Sequence, residues 1–306
     1  MAQKHVLTCP RDGILGRFFQ GRGLLTVLLP LFFIGAILGW VQAGSQNANP
    51  DPCLVFRCDE GGIIRGRTDR KEMALIFTGG DFADGGALIR RVLREKHIRA
   101  GFFFTGDFFR SPEKADLIRG LVADGHYLGP HSDKHLLYCA WEDRAKTIVT
   151  RDEFRADLLA NYKAMETFGL RREDARLFIP PYEWYNREIV RWARELGLVL
   201  FNFTPGTSSN ADYTTPDMPE YLSSQAIWDR IWAYERKDAD GFNGFIMLIH
   251  VGTDPKRTDK FYAKLGMLID ELAAKGYRIV RIDRLLNPPI SSPENRPKPS
   301  TDPGRD

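Results

Sequence analysis

Met73-Ala74-Leu75-Ile76-Phe77-Thr78-Gly79-Gly80-Asp81-Phe82-Ala83-Asp84-Gly85-Gly86 is the stretch from which the chain is best read. Met73 to Phe77 is an apolar run bounded by Glu72 and by Thr78-Gly79-Gly80, the pattern of a buried strand that ends in a tight turn. Two carboxylates follow. The next residues place Leu88, Val92 and Leu93 on one side and Arg90, Arg91, Arg94 and Glu95 on the other, which predicts an amphipathic helix. The unit is therefore strand, loop with acids, helix.

The same unit repeats along the chain. Phe102-Phe103-Phe104 before Thr105-Gly106 predicts a second strand, a helix follows over about Glu113 to Ala123, and His126 to Gly129 predicts a third strand. Further helices are expected over about Arg151 to Phe168, Arg187 to Leu196, Ser223 to Arg236 and Thr258 to Ala274. Strands are expected at Leu177-Phe178-Ile179, Leu198 to Phe201, Phe245 to Ile249 and Tyr277 to Val280. About seven alternations imply an α/β fold with parallel strands and right-handed crossovers, either a barrel or a doubly wound sheet. In both, the loops after the strands converge on one face. Here those loops are Thr78 to Gly86, Gly129 to His135, Pro180 to Trp184, Asn202 to Asp212 and His250 to Asp254.

The chemistry-bearing residues fall on these loops. His131 and His135, four apart in His131-Ser132-Asp133-Lys134-His135, would share one face if the segment were helical, so both could reach one metal ion. Asp81 and Asp84 lie on the first loop, and His250 ends the Phe245 to Ile249 strand. Two histidines and a carboxylate suit a catalytic divalent metal with open positions; a second carboxylate and a third histidine can move protons. These are the parts of a hydrolase. Simpler roles compete: an aspartate near a helix amino terminus stabilises it by roughly 0.3 to 1 kcal/mol as a cap, His126 reads as a packed strand histidine, and His97 reads as a solvent-facing turn residue. Asp212 and Asp254 receive no role, because polar loops commonly contain aspartates.

The 306 residues, 43% hydrophobic, are enough for one substantial core, and a net charge of +3 without dense basic runs argues against a nucleic-acid partner. Gly23 to Val41 carries no charge and, as a helix, spans roughly 28 Å, close to a bilayer core. Lys4, Arg11, Arg17 and Arg22 precede it, and no Lys or Arg follows until Arg57, which predicts a cytoplasmic amino terminus. The expectation is an uncleaved membrane anchor, with secretion after cleavage near Ala43 as the alternative. Cys53 and Cys58, close together after the polar linker Gly44 to Pro52, are candidates for a disulfide in a non-cytoplasmic compartment. Cys139 has no evident partner.

One resemblance joins the loop residues. Gly125-His126-Tyr127-Leu128-Gly129-Pro130-His131-Ser132-Asp133-Lys134-His135 resembles the metal-binding motif of polysaccharide deacetylases with the NodB homology domain. Ala100-Gly101-Phe102-Phe103, Pro180-Pro181-Tyr182 and Leu248-Ile249-His250 resemble three further motifs of that family, in order, over roughly residues 73 to 286. The resemblance implies a distorted (β/α) barrel with about seven parallel strands, a divalent metal (Zn, with Co, Ni or Mn as alternatives) and removal of acetyl groups from a cell-wall or extracellular polysaccharide. It implies His131 and His135 as metal ligands, His250 as general acid and Tyr182 as a main-chain contributor to the oxyanion site. Asp81 is taken as the third ligand and Asp84 as the second, catalytic carboxylate, with Pro181 and Trp184 against substrate. Two departures stand out: matching Phe82-Ala83-Asp84-Gly85 to the family's first motif keeps Asp84 as a ligand but puts Ala83 in place of the first of its adjacent aspartates, whereas counting back from the Phe102 strand puts Asp81 at the ligand position; and Ile179 replaces the arginine that orients the catalytic aspartate. A catalytically impaired glycan-binding protein is the competing expectation. The organisation expected is a cytoplasmic tail (1–22), an anchor (23–43), a linker and amino-terminal segment (44–72), a catalytic domain (73–286) and a disordered tail (287–306).

Overall fold

The computed structural model describes residues 51–287. The expected anchor over residues 23–43 and the tail beyond Asn287 lie outside them. Among the described residues no helix is long and apolar enough to cross a membrane.

A short antiparallel hairpin opens the domain, β1 (Arg57–Asp59) and β2 (Gly62–Arg65). Seven strands then follow: β3 (Glu72–Gly79), β4 (Gly101–Phe104), β5 (Tyr127–Pro130), β6 (Leu177–Phe178), β7 (Val199–Leu200), β8 (Ile246–His250) and β9 (Arg278–Ile279). They are the seven expected from sequence, and all their pairings are parallel. The principal sheet runs β5-β4-β3-β8, with β9 also on β3, while β6 and β7 pair separately. Side chains and single bridges close the remaining seams. The Tyr127 hydroxyl accepts the Leu177 N–H (2.8 Å) between β5 and β6, Ile63 bridges Phe201, and Thr204 bonds both Ile64 and Ile246. The result is the distorted barrel, its ring completed where ladder bonds are missing.

Alternation along the strands explains why their sequences are apolar throughout: both faces are buried. Ala74, Ile76, Phe103, Tyr127, Leu177, Ile179, Phe201, Ile246 and Leu248 pack together inside the barrel. Met73, Leu75, Phe77, Phe102, Phe104, Leu128, Phe178, Met247 and Ile249 face the helical layer. Each fully buried phenylalanine contributes roughly 2 to 3 kcal/mol.

That layer contains α1 (Gly86–Glu95), α2 (Gly106–Arg110), α3 (Ala115–Ala123), α4 (Arg151–Glu166), α5 (Arg187–Glu195), α6 (Ser224–Lys237), α7 (Leu265–Ala274) and α8 (Ile282–Leu285). The start of α4 is fixed by a reciprocal capping box between Thr150 and Glu153. Two expectations need correction. The last long helix begins at Leu265, after a 3-10 turn over Phe261–Lys264, whereas Thr258 was expected to start it. Thr105-Gly106, read only as the end of the second strand, also opens α2, with the Thr105 hydroxyl accepting the Phe108 N–H at 3.1 Å.

Register aligns the carboxyl ends of the central strands. Thr78 lies opposite His250, Gly79 opposite Phe104, and Phe104 opposite Pro130. The loops beginning at Gly80, His131 and His250 therefore leave the barrel side by side.

Candidate active site

His131 and His135 meet, but not on a helix. Residues 131–138 form an irregular loop in which Ser132 (φ 70°) and His135 (φ 54°) adopt left-handed backbone. The helical geometry assumed for their spacing is thus replaced by two reversals, which bring the Nε2 atoms to 3.2 Å. The loop is held from α4. The Asp157 carboxylate accepts the N–H groups of Asp133 (3.1 Å) and Lys134 (3.0 Å) and the Tyr138 hydroxyl (3.2 Å), and Asn161 Oδ1 accepts the His131 N–H (3.0 Å). Asp133 is itself paired with Arg110 at 2.6 Å.

The Ile179 carbonyl accepts a hydrogen bond from His131 Nδ1 at 2.9 Å. The proton is thereby fixed on Nδ1, and the Nε2 lone pair is left facing His135. Both imidazoles are neutral. Burial, helped by the neighbouring His135, puts the His131 pKa well below its ordinary value; burial and the field of His250 push His135 down to about 4. Neutral, oriented imidazoles with converging nitrogens are a donor set that fits a divalent transition metal.

The aspartates part company. Asp81 is exposed and close enough to His135 for its charge to favour that ring's protonated form. Among the described residues no three or more His, Cys, Asp or Glu side chains converge tightly enough to hold a metal ion, so the paired imidazoles are the assembled part. Asp84 is engaged elsewhere: Tyr262 Oη donates to it at 2.6 Å, Lys260 Nζ at 2.9 Å and the Thr253 N–H at 2.8 Å. Burial would raise its pKa, but these three donors prevail and hold it below the usual carboxylate range. The structure thus gives Asp84, expected as the second catalytic carboxylate, the work of tying the first loop to the loop after β8.

His250 sits at the end of β8 with its ring on Asp212, a residue that sequence reasoning passed over. Nδ1 donates to Asp212 Oδ1 at 2.6 Å, and the His250 N–H donates to Oδ2 at 2.9 Å. Asp212 is 1% exposed. Burial disfavours the imidazolium, yet the charge and hydrogen bond of Asp212, with a contribution from Glu183, raise the His250 pKa above its ordinary value. The one available signal for Asp212 was its place on a convergent loop.

Tyr182 and Glu183 are consecutive left-handed residues (φ 58° and 54°), a conformation that costs a side-chain-bearing residue of order 1 to 3 kcal/mol. The Tyr182 ring packs edge-on against His135, with centroids 4.3 Å apart. Trp184 stacks on Trp141 (5.8 Å), donates from Nε1 to the Ala140 carbonyl and carries the Arg144 guanidinium over its ring. Trp141, Tyr182 and Tyr213 are all substantially exposed, the last packed against His250. Pro181 is buried, which corrects its expected place on substrate: its ring shapes the turn and offers no surface. A cleft of about 570 Å3 runs beside the turn, lined by Tyr182, Glu183, Trp184, Arg144, Asn202 and Asn210 among others. His126 is a packed histidine whose Nδ1 accepts the Ala100 N–H.

Paired imidazoles and an acid-held histidine at the strand ends of a parallel α/β barrel define a hydrolytic class of site. Residues 65–201 match the polysaccharide deacetylase family model. It is 24% identical over 220 residues to a peptidoglycan-N-acetylglucosamine deacetylase of Bacillus cereus, covering 71% of this chain and 89% of that one. It is 26% identical over 279 residues to a chitin deacetylase of Colletotrichum lindemuthianum, covering 85% and 96%. Among solved structures, a carbohydrate esterase family 4 pseudoenzyme from Bacillus anthracis superposes with a TM-score of 0.58 at 20% identity, over 75% of this chain and 70% of that one. That last likeness shows the shared fold.

Proposed function

We propose that this protein is a metal-dependent hydrolase that removes N- or O-linked acetyl groups from a polysaccharide. The observation that carries the reading is the meeting of the His131–His135 pair with an Asp212-held His250 at the strand ends of a polysaccharide deacetylase domain. The two curated relatives, named for peptidoglycan N-acetylglucosamine and chitin, support an acetylated glycan as substrate.

His131 Nε2, His135 Nε2 and the Asp81 carboxylate are the groups that would hold the cation, a set that suits Zn first and also Co, Ni or Mn. Such an ion, when bound, polarises a carbonyl oxygen and lowers the pKa of water to about 7. The protein's own residues supply the rest. The Ile179 carbonyl keeps His131 in one tautomer, and Asp157 with Asn161 keeps its loop in place. His250, whose acid form is favoured by Asp212, delivers a proton from Nε2 to the departing sugar nitrogen or oxygen. The Tyr182 main chain serves the developing oxyanion, and the rings of Trp141, Tyr182 and Trp184 offer faces on which a sugar can stack.

The same reading puts the domain outside the cytoplasm, tethered by residues 23–43 or released near Ala43. The charge asymmetry around that segment supports it, as does the Cys53–Cys58 disulfide, a bond that persists in oxidising compartments. A glycan-binding protein without turnover is the second reading, favoured by Ala83 and by the engagement of Asp84. Acetate release from N-acetylated chitooligosaccharides and peptidoglycan fragments separates the two. Release that is abolished in His250→Ala, with glycan binding retained, is expected; binding without any release by metal-replete wild type points to the second reading.

A further inference from the structure

Ala83 leaves the first motif without its proton-accepting carboxylate, and Asp84 is bonded away from the histidines. The site therefore needs another acceptor for the proton of the attacking water. Of the two carboxyls that line the cleft, Asp59 is paired with Arg144 at 2.7 Å, and Glu183 is without an assigned role. Glu183 is half-buried among Tyr182, Trp184, Asn202 and Asn210. Its backbone is held from both sides: the Asn202 side chain donates to its carbonyl at 2.8 Å and its N–H donates to the Pro180 carbonyl at 3.0 Å. Those bonds lock a glutamate into left-handed backbone at φ 54°, next to the similarly strained Tyr182. Strain kept in place by its surroundings is a feature of functional positions.

Glu183 is also a neighbour of His250. The residue before it packs on His135, and the charge of Glu183 itself reaches His250 and Tyr213. Among the described residues its carboxylate has no hydrogen-bond or ion-pair partner, so nothing in the fold consumes it. Burial and the neighbouring Asp212 push its pKa up to about 7 against the opposing influence of His250, which is the range in which a carboxylate accepts and returns a proton readily. The groups facing it are His250, Asp212 and Tyr213, while Arg57, Asp59 and Arg144 line the same cleft.

We propose that Glu183 is the catalytic base of this protein, standing in for the aspartate that Ala83 replaces. The inference rests on the deacetylase reading. As water attacks the acetyl carbonyl, the new C–O bond forms while one water O–H bond breaks and its proton passes to the Glu183 carboxylate. On collapse the bond from the acetyl carbon to the sugar nitrogen breaks, and His250 gives its Nε2 proton to that nitrogen. The proton on Glu183 then restores His250, leaving acetate and a free amine.

The test compares full-length metal-replete wild type with Glu183→Gln and Glu183→Gly on N-acetylated chitooligosaccharides. Glycine suits the positive φ at this position, so Glu183→Gly keeps the fold and removes only the carboxyl. Both variants should lose about 100-fold or more in kcat with little change in KM, and the acidic limb of the kcat profile should disappear. Added formate should restore activity to Glu183→Gly but not to Glu183→Gln, whose side chain fills the space. Variants with kcat within twofold of wild type and an unchanged pH profile overturn the role of Glu183 and leave the deacetylase reading standing. Wild type that releases no acetate overturns that reading, and the inference with it.

Discussion

The Nδ1 of His250 lies 2.6 Å from Oδ1 of Asp212, and the other oxygen of that carboxylate binds the His250 backbone N–H at 2.9 Å. One buried anion thus fixes the ring's tautomer, its direction and its proton. Because the His250 pKa is raised, its acid form persists to higher pH than that of an ordinary histidine and is lost as pH rises through that raised value. Asp212→Asn keeps the shape and removes the charge. The alkaline limb of kcat/KM should move to lower pH, and activity at pH 8 should fall by about 100-fold or more. A pH profile of the variant that coincides with wild type would contradict this role. The sign for stability is the same: the His250–Asp212 contribution is complete below the ordinary histidine pKa and disappears as pH climbs past the folded-state value.

The metal assignment divides Asp81 from Asp84. Purified wild type should contain one divalent ion per chain, measured by elemental analysis, and His131→Ala, His135→Ala should contain none. Asp81→Ala should weaken metal binding at least about 100-fold, beyond the usual effect of losing an outer contact. Asp84→Ala should keep the metal and lower the melting temperature, since its bonds to Tyr262, Lys260 and Thr253 join two loops. The contribution of Asp84 is present above the ordinary aspartate range and is lost as pH falls through its depressed folded-state pKa. Full metal content in Asp81→Ala would remove that residue from the ligand set.

Asp157 is expected to hold the histidine loop from a distance. Asp157→Ala strips the partners from two backbone N–H groups and the Tyr138 hydroxyl, at a cost of about 3 kcal/mol in chemical denaturation. Metal affinity should fall by roughly 10- to 100-fold because the ligands remain but lose their support. An unchanged affinity in the folded variant would show that Asn161 and Arg110 suffice.

The disulfide between Cys53 and Cys58 closes a short loop at the start of the domain, with Cα atoms 5.6 Å apart. Replacing both with serine should lower stability by about 2 kcal/mol, the chain-entropy value for so small a loop. Cys139 is buried, and its thiol pKa is pushed up to about 11 by that burial. Alkylation of the native protein should therefore leave it unmodified, and labelling at neutral pH would reveal local opening.

Much of the fold was legible because its signals are local. Apolar runs of four to eight residues, punctuated by Gly and Pro, mark the seven parallel strands, and amphipathic spacing marks the long helices between them. The hairpin of β1 and β2 was missed because its strands are short and carry no strict alternation. The helix α2 was missed because Thr105-Gly106 signals a turn and a helix cap equally well. The histidine pair was found by spacing, although that spacing works here through left-handed loop backbone at Ser132 and His135.

By itself the sequence determined the strand–helix alternation, the ordered motifs and the candidates His131, His135 and His250. Hydrophobic period and residue type suffice for these. Only the tertiary structure decided which acid serves which purpose. Asp84 is drawn to Tyr262, 178 residues away, and Asp212 grips His250 across 38 residues. The Ile179 carbonyl orients His131 from 48 residues away, doing with its main chain what no side-chain reading of Ile179 suggests. Such pairings depend on how barrel closure brings loop ends together, and no local periodicity encodes that distance. A carboxylate's role is set by the donors around it, which exist only once the barrel has closed.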